Sequence, residues 1–347
     1  MGYKLDRRQL MGWAATFGAA GVAGLSYLQH AGAQATPDAT PAGGAETRTI
    51  SAVNGEITIS GTPERVVVME YELAENLAIL GVTPAGVTER DSIPQWVQIP
   101  PYPEDVVDVG TRDEPDIEAI LSLSPDLILA ASPRQDEVLS QLEAAGPVVQ
   151  LSTYSPFFAP EGLTPHESFQ QILSHVALAV NRTAEAEQAI VDFDALLATG
   201  TAAIDAAGFA GRPFVYGTIA DQSGVNIFND RSRIAFTVSE LGLANLGEEN
   251  EETPGLHYVE HSIEQLGTLP EDTLFFTAVS PAIAGELDEL FASDVWQALP
   301  FVQAGNFYSL GEPNVWTAGS AITLSDLIRR VTQALTGETI QVTTPLG

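Results

Sequence analysis

The chain carries one supersecondary unit twice, 146 residues apart. Asp116-Ile117-Glu118 opens a stretch that runs through Leu123 to Asp126-Leu127-Ile128-Leu129, and Ser262-Ile263-Glu264 opens a second that runs through Leu269 to Asp272-Thr273-Leu274-Phe275. The pairs Ile117/Ile263, Glu118/Glu264, Ile120/Leu266, Leu123/Leu269, Asp126/Asp272 and Ile128/Leu274 all keep the offset. Each copy predicts a short amphipathic helix, a turn at Pro-Asp or Pro-Glu-Asp, and an apolar strand. Such an echo fixes the architecture before other features are weighed. Two similar α/β halves make a two-lobed protein with a cleft between the lobes, and 347 residues are enough for two proper cores.

The segments around the echo fit that plan. Ile50 to Ser60 alternates about Asn54-Gly55 and reads as a β-hairpin. Arg65-Val66-Val67-Val68-Met69 is an unbroken apolar run, the signature of a strand buried on both faces of a parallel sheet. Leu73 to Leu80 has helical spacing and stops at Gly81. Strands are expected at 82–87, 106–109, 127–130 and 148–151, so strands and helices alternate as in a parallel sheet with helices on its faces. Thr164-Pro165 then starts a strand-free helical region that runs to Ala207, a rigid link between the copies. A strand at Pro213-Phe214-Val215-Tyr216 restarts the pattern, and a helix over 233–241 ends at Gly242 as its counterpart ended at Gly81. The expected division is an export signal at 1–35, a linker at 36–48, an N-terminal lobe at 49–163, a helical link at 164–207 and a C-terminal lobe at 208–347.

Charge narrows the partners. After residue 35 there are eleven Arg, no Lys and 45 acidic residues. A polyanionic nucleic acid is excluded as a natural partner, an anionic membrane surface is disfavoured, and a basic patch on another protein would be attracted. Lys4, Arg7 and Arg8 precede a weakly apolar run from Leu10 to Leu28, with cleavage sites of the small-x-small kind at Ala33 and Ala35. Asp6-Arg7-Arg8-Gln9-Leu10-Met11 is similar to a twin-arginine export signal. The protein is therefore expected outside the cytoplasm, in the periplasm or at the exterior of the envelope. It has no cysteine, hence neither a disulfide nor a lipid-anchoring thiol.

Several motifs in order carry a family resemblance over residues 60–337. They include Pro63-Glu64-Arg65-Val66-Val67-Val68, Leu80-Gly81-Val82-Thr83-Pro84-Ala85-Gly86-Val87 and Ser124-Pro125-Asp126-Leu127-Ile128. The chain resembles the periplasmic-type substrate-binding proteins of ABC importers that carry ferric siderophores, cobalamin or haem. The stretches Asp108 to Glu118 and Trp296 to Gly305, with Val315-Trp316 beyond, are similar to the ferric-hydroxamate-binding type. The resemblance implies an α/β fold of two Rossmann-like lobes with parallel sheets, joined by one long interlobe helix, with the ligand in the cleft between lobes and limited hinge motion. It implies a non-catalytic carrier, expected to act as a monomer, whose partners are a ferric siderophore and a membrane permease dimer. No cofactor is expected; iron enters only as part of the chelate. Cobalamin or haem is the alternative ligand in the same role.

The resemblance also assigns residues. One glutamate on each lobe docks on permease arginines, and the matching positions here are Glu118 and Glu264. Two such carboxylates suit two symmetric arginine sites, although a glutamate in a helix's first turn also complements the helix dipole. A ferric hydroxamate needs donors for its iron-bound oxygens and aromatic walls for its backbone. Arg112 matches the family's hydroxamate-binding arginine, and Trp316 is the candidate wall. Tyr71 follows the Val66–Met69 run and Arg134 the Leu127–Ala130 run, both at carboxyl ends where open α/β sheets take ligands. The chain departs from the hydroxamate type near Arg134, where a tyrosine would stand. Arg90 and Tyr258 complete the ligand set.

One motif points elsewhere. His257-Tyr258-Val259-Glu260-His261 fits H-x-x-E-H, the pattern of a zinc hydrolase. That chemistry needs both histidines on one face of a helix. Pro254-Gly255 precede the motif, and Ser262 with Gln265 forms a capping box for the repeat's helix, so the histidines are expected in a loop entering it.

Overall fold

The computed structural model describes residues 46–97, 99–153, 162–219, 224–252, 257–278, 284–311 and 319–340. The N-terminal signal, most of the linker and Trp316 lie outside them. The chain enters through a hairpin, β1 (Thr47–Ala52) and β2 (Gly55–Ser60). Ala52 pairs with Gly55, so the turn residues are Val53 and Asn54, one position earlier than the sequence suggests. The Asn54 side chain explains the shift. It donates to the Val148 carbonyl at 3.1 Å and accepts from the Gln150 amide at 3.1 Å, which fastens the hairpin along the edge of the N-terminal sheet.

That sheet is built from β3 (Val66–Val68), β4 (Gly86–Val87), β5 (Val107–Asp108), β6 (Leu127–Ala131) and β7 (Val148–Leu151). Its order is β5-β4-β3-β6-β7, and every pairing is parallel. The connecting helices are α1 (Tyr71–Ile79), α2 (Ile93–Trp96), α3 (Ile117–Leu123) and α4 (Leu139–Ala145). The strand order reverses at β3, which pairs with both β4 and β6 and makes a topological switch point there.

Two long helices follow. α5 (Pro165–Val180) starts with Thr164 and Glu167 in a reciprocal capping box, and α6 (Thr183–Ala206) follows after a left-handed Asn181. The C-terminal lobe has β8 (Pro213–Ile219), β9 (Gly224–Phe228), β10 (Ala244–Asn245), β11 (Tyr258–Ser262), β12 (Leu274–Ala278) and β13 (Phe307–Ser309). Its helices are α7 (Arg233–Glu240), α8 (Ala284–Ala292), α9 (Asp294–Gln297), α10 (Pro300–Gln303) and α11 (Ala321–Thr336). Here β10-β8-β12-β13 pair in parallel, while β9 and β11 add an antiparallel flank, so the second sheet is mixed.

The second copy of the echo departs from the first. Ile117–Leu123 is a helix capped by Asp116, which accepts from the Ala119 amide at 2.9 Å. Ser262 and Gln265 do exchange the capping-box hydrogen bonds, but they lead only into a four-residue 3-10 turn, Gln265–Thr268. Gly267 stands where the first copy has Leu121, and glycine inside a helix costs about 1 kcal/mol against alanine. The segment before it, read as a loop from the sequence, is strand β11.

Each sheet has two differently employed faces. Val67, Ile128 and Ala130 pack on α3 and α4 in a core of the N-terminal lobe alone. Val215 and Phe275 pack with Trp296 and Phe301 in a core of the C-terminal lobe alone. The opposite faces meet in one continuous core, where Val66, Val68 and Leu129 from one sheet and Phe214, Tyr216 and Phe276 from the other share Phe169, Val176, Phe193 and Leu324 of the intervening helices. α5 and α6 therefore do more than connect the lobes. They form the common layer against which both are packed.

Two polar contacts cross this layer. Arg233 of α7 meets Glu72 of α1 at 2.5 Å and also reaches Ser168 Oγ at 3.1 Å. Glu75 of α1, fully buried, accepts from the hydroxyls of Ser320 and Thr323 at the start of α11. Both tie the N-terminal lobe's first helix to the C-terminal lobe.

Candidate functional site

The carboxyl ends of four neighbouring strands each deliver one ionisable side chain to a single cluster. Glu70 follows β3, Glu89 follows β4, Arg112 follows β5 and Arg134 follows β6. Arg112 is at its centre. Its Nη1 lies 3.0 Å from Glu70 Oε1, its Nε 3.2 Å from Glu89 Oε2, and its backbone amide donates to Glu89 Oε1 at 3.1 Å. The guanidinium carbon sits 3.7 Å from the centre of the Tyr71 ring, a cation–π contact. The Tyr71 hydroxyl in turn donates to Glu89 Oε2. Arg134 Nε lies 3.1 Å from Glu70 Oε2 and its Nη1 2.6 Å from Asp113 Oδ1.

Local chain geometry holds these groups. Glu70 is the N-cap of α1, accepting from the Tyr71 amide at 2.8 Å while its side chain is only 3% exposed. Glu89 sits at φ +53, a left-handed conformation unusual for a side-chain-bearing residue, and its amide donates to the Gly110 carbonyl at 2.8 Å. Gly110 lies at φ +89, and a Cβ there would stand 2.7 Å from the Asp116 amide nitrogen, so the turn that presents Arg112 requires glycine. Buried Gln135 joins two loops, accepting from the Ala131 amide at 2.7 Å and donating to the Arg112 carbonyl at 2.8 Å.

These contacts set protonation. Burial alone would raise the Glu89 carboxyl, but the Tyr71 hydroxyl and the Arg112 amide and guanidinium hold it below the usual range. Burial and the hydrogen bond to Glu89 push the Tyr71 phenol up, so it stays a neutral donor. Burial opposes the Arg112 charge, but Glu70 and Glu89 reinforce it.

The structure thus brings together Arg112, Tyr71 and Arg134 from the sequence-derived set. Glu70, Glu89 and Gln135, which sequence reasoning missed, hold them in place. Arg90 is turned aside: its Nε meets Asp91 at 2.8 Å and its Nη1 the Val106 carbonyl at 3.0 Å. Tyr258 is on edge strand β11, its ring 5.4 Å from that of Phe228, and takes no part in the cluster. Glu118 and Glu264 are both exposed, the first in the opening turn of α3 and the second just ahead of the 3-10 turn. Trp296 is buried among Phe275, Phe291, Phe301 and Phe307 as a core residue of the C-terminal lobe.

The histidine motif takes neither a helix nor a loop. His257 precedes β11 and His261 lies within it, so four residues of extended chain separate them by about 13 Å, too far to share a metal ion. Glu260 projects to the opposite face from His261. Among the described residues, no group of three or more His, Asp or Glu side chains is placed to hold a metal ion.

Residues 66–313 match the periplasmic binding protein family. The chain belongs to that family. It is 27% identical over 279 residues to the iron(3+)-hydroxamate-binding protein FhuD of Escherichia coli, covering 80% of this chain and 88% of that one. It is equally similar, 27% over 281 residues, to the Fe(3+)-citrate-binding protein YfmC of Bacillus subtilis, covering 81% and 83%. Among solved structures, the siderophore-binding protein FhuD of Vibrio cholerae with bound Fe3+–Desferal superposes with a TM-score of 0.69 at 28% identity, covering 78% of this chain and 97% of that one. These relatives are binding proteins, and the two-lobed plan is theirs.

Proposed function

We propose that this protein captures a ferric siderophore, of the hydroxamate type, outside the cytoplasmic membrane and delivers it to the permease of an ABC importer without chemical change. The observation that carries the reading is the cluster at the carboxyl ends of β3, β4, β5 and β6. It lies at the switch point of an open α/β sheet, where such folds take their ligands. Arg112 and Arg134 supply N–H donors for oxygens bound to iron, buried Tyr71 backs the Arg112 guanidinium from below, and Trp316 is the aromatic wall. Export is through the twin-arginine segment at Arg7-Arg8, with cleavage near Ala33 or Ala35. The exposed carboxylates Glu118 and Glu264 dock on the permease, one from each lobe.

Titration of the purified protein with ferrichrome, followed by tryptophan fluorescence, tests the reading. Saturable quenching at micromolar concentration or tighter is expected, weakened at least tenfold by Arg112→Ala. Absence of quenching by any iron chelate, with tight binding of cobalamin or haem instead, would overturn it. Glu118→Ala with Glu264→Ala should abolish uptake in cells and leave the fluorescence titration unchanged.

A further inference from the structure

The two relatives that match equally well differ in what they bind, one an iron hydroxamate and the other an iron citrate. Overall similarity therefore does not assign the ligand's charge, but the site's own charge can. Arg112 and Arg134 face three carboxylates, those of Glu70, Glu89 and Asp113, in direct ion pairs. The cluster is thus not a pool of spare positive charge; by formal count it is one negative charge in excess. Four more arginines are likewise committed to acids: Arg231 faces Glu249, Arg233 faces Glu72, Arg330 faces Asp326 and Arg90 faces Asp91. No lysine occurs after residue 35. Segments 154–161, 220–223, 279–283 and 312–318, which continue the chain beyond β7, β8, β12 and β13, contain no basic residue in their sequence either. On the C-terminal lobe, a depression of about 1070 Å³ beside β11 is lined by Glu248, Glu249, Glu251, Glu252 and Glu260.

A polyanionic chelate entering this site would have to displace Glu89 from Arg112 and would then face Glu70 and Asp113 unscreened. A neutral chelate meets no net repulsion from these carboxylates and has no need to break a pair. A cationic one gains from the excess carboxylate. We propose that the site selects its ferric chelate by charge, taking neutral or cationic complexes and rejecting polyanionic ones, with Glu89 the specificity-determining residue. Glu89 is singled out because it alone holds both Arg112 and the Tyr71 hydroxyl, and because its side chain is less enclosed than that of Glu70, 21% against 3% exposed. Its left-handed backbone aims the carboxylate at that spot. The inference rests on the siderophore reading above.

The test is a titration panel on the intact protein at fixed ionic strength, using Fe3+–Desferal, a cationic trihydroxamate, neutral ferrichrome, anionic ferric dicitrate and trianionic ferri-bacillibactin. Wild type is expected to bind the first two at least a hundredfold tighter than the last two. Glu89→Gln removes one negative charge and should shift the ratio of anionic to cationic affinity by about tenfold, as one unit charge does over a few ångströms in partly screened surroundings. As a check that needs no variant, affinity for Fe3+–Desferal should fall severalfold between low and high salt while that for ferrichrome stays level. Binding of the anionic chelates within threefold of ferrichrome would overturn charge selection and leave the siderophore function standing. Equal weakening of all four by Glu89→Gln, in a protein that melts like wild type, would reduce Glu89 to a structural role. Failure of all four to bind would overturn the functional reading itself, and the charge rule with it.

Discussion

The Glu72–Arg233 pair offers a measurable estimate of how firmly the lobes are joined. The two charges meet at 2.5 Å, with side chains only 5% and 9% exposed, and they come from helices on different lobes. With the charge centres about 4 Å apart and an effective dielectric of about 20, their attraction is worth about 4 kcal/mol. Desolvation of the two ions costs about as much, so the pair as a whole is close to neutral for stability. Burial pushes the Glu72 carboxyl up, and Arg233 opposes that rise. Removing the guanidinium alone leaves the acid in the shared core without its counter-charge. Arg233→Met should therefore destabilise by about 3–5 kcal/mol, whereas Glu72→Met with Arg233→Met should return to within about 1 kcal/mol of wild type. The assay is urea unfolding followed by tryptophan fluorescence, analysed as a double-mutant cycle. The raised Glu72 pKa adds a sign. In Arg233→Met the native state binds a proton that the unfolded chain releases above its ordinary carboxylate pKa, so stability is highest below that pKa and falls as pH rises through the folded value. Less than 1 kcal/mol of coupling, or a single variant whose stability does not fall with rising pH, would refute the claim that the pair is desolvated.

Two further outcomes follow from the same structure. Gly110→Ala places a Cβ 2.7 Å from the Asp116 amide nitrogen and 2.9 Å from the Glu114 carbonyl oxygen at a φ of +89; it should lower stability by about 2 kcal/mol or more and weaken chelate binding at least tenfold, read by calorimetry and titration. Burial lowers the pKa of both His166 and His257 to about 4, so the unfolded chain takes up their protons first and stability falls as pH drops from about 6.5 toward 4. The loss at pH 5 should be about 2 kcal/mol per histidine; His166→Gln, which keeps a donor near Thr237 Oγ1, should flatten the melting-temperature profile by roughly half, and an unchanged profile would refute the assignment.

The fold was legible where burial writes directly on sequence. Val66–Val68 and Leu127–Ala131 are apolar throughout because parallel strands covered on both faces do not alternate. Thr164-Pro165 announced the start of α5 by chemistry local to one turn, and the structure adds the Thr164–Glu167 capping box there. The site was half legible for the same reason. Arg112 and Arg134 could be found because each follows a strand and basic residues are scarce. Glu70 and Glu89 could not, because a carboxylate among 45 others carries no local signal. Their role depends on β3 lying between β4 and β6, a property of strand order that no window of sequence contains. The β11 segment failed differently: the echo predicted a helix after Ser262, and Gly267 together with the pairing of β11 on β9 overrode it.

The duplication now divides the molecule into what the halves share and what they do not. Shared are the strand pairs β3–β6 and β8–β12 and the exposed glutamates that follow Ile117 and Ile263. Unshared is the mouth. Tyr258 stands 146 residues after Arg112, yet one is on an edge strand against Phe228 and the other is in a loop held by two carboxylates. Among the described residues, the N-terminal lobe gathers the guanidinium groups of Arg112 and Arg134 in one cluster at the carboxyl ends of its strands, whereas the C-terminal lobe places that of Arg330 on the Leu310 carbonyl just past β13. The C-terminal lobe commits Arg233 inward, to the pair that joins the lobes. With one continuous core behind both sheets, large separation of the lobes would tear apolar contacts that run from Val68 through Phe169 to Tyr216. Selection therefore has to come from a preformed cluster on one lobe rather than from wide closure around the ligand, since a binding protein discriminates only through contacts that differ between its candidates. That is the physical reason the ion pairs of Arg112, and Glu89 in particular, should decide which iron chelate is carried.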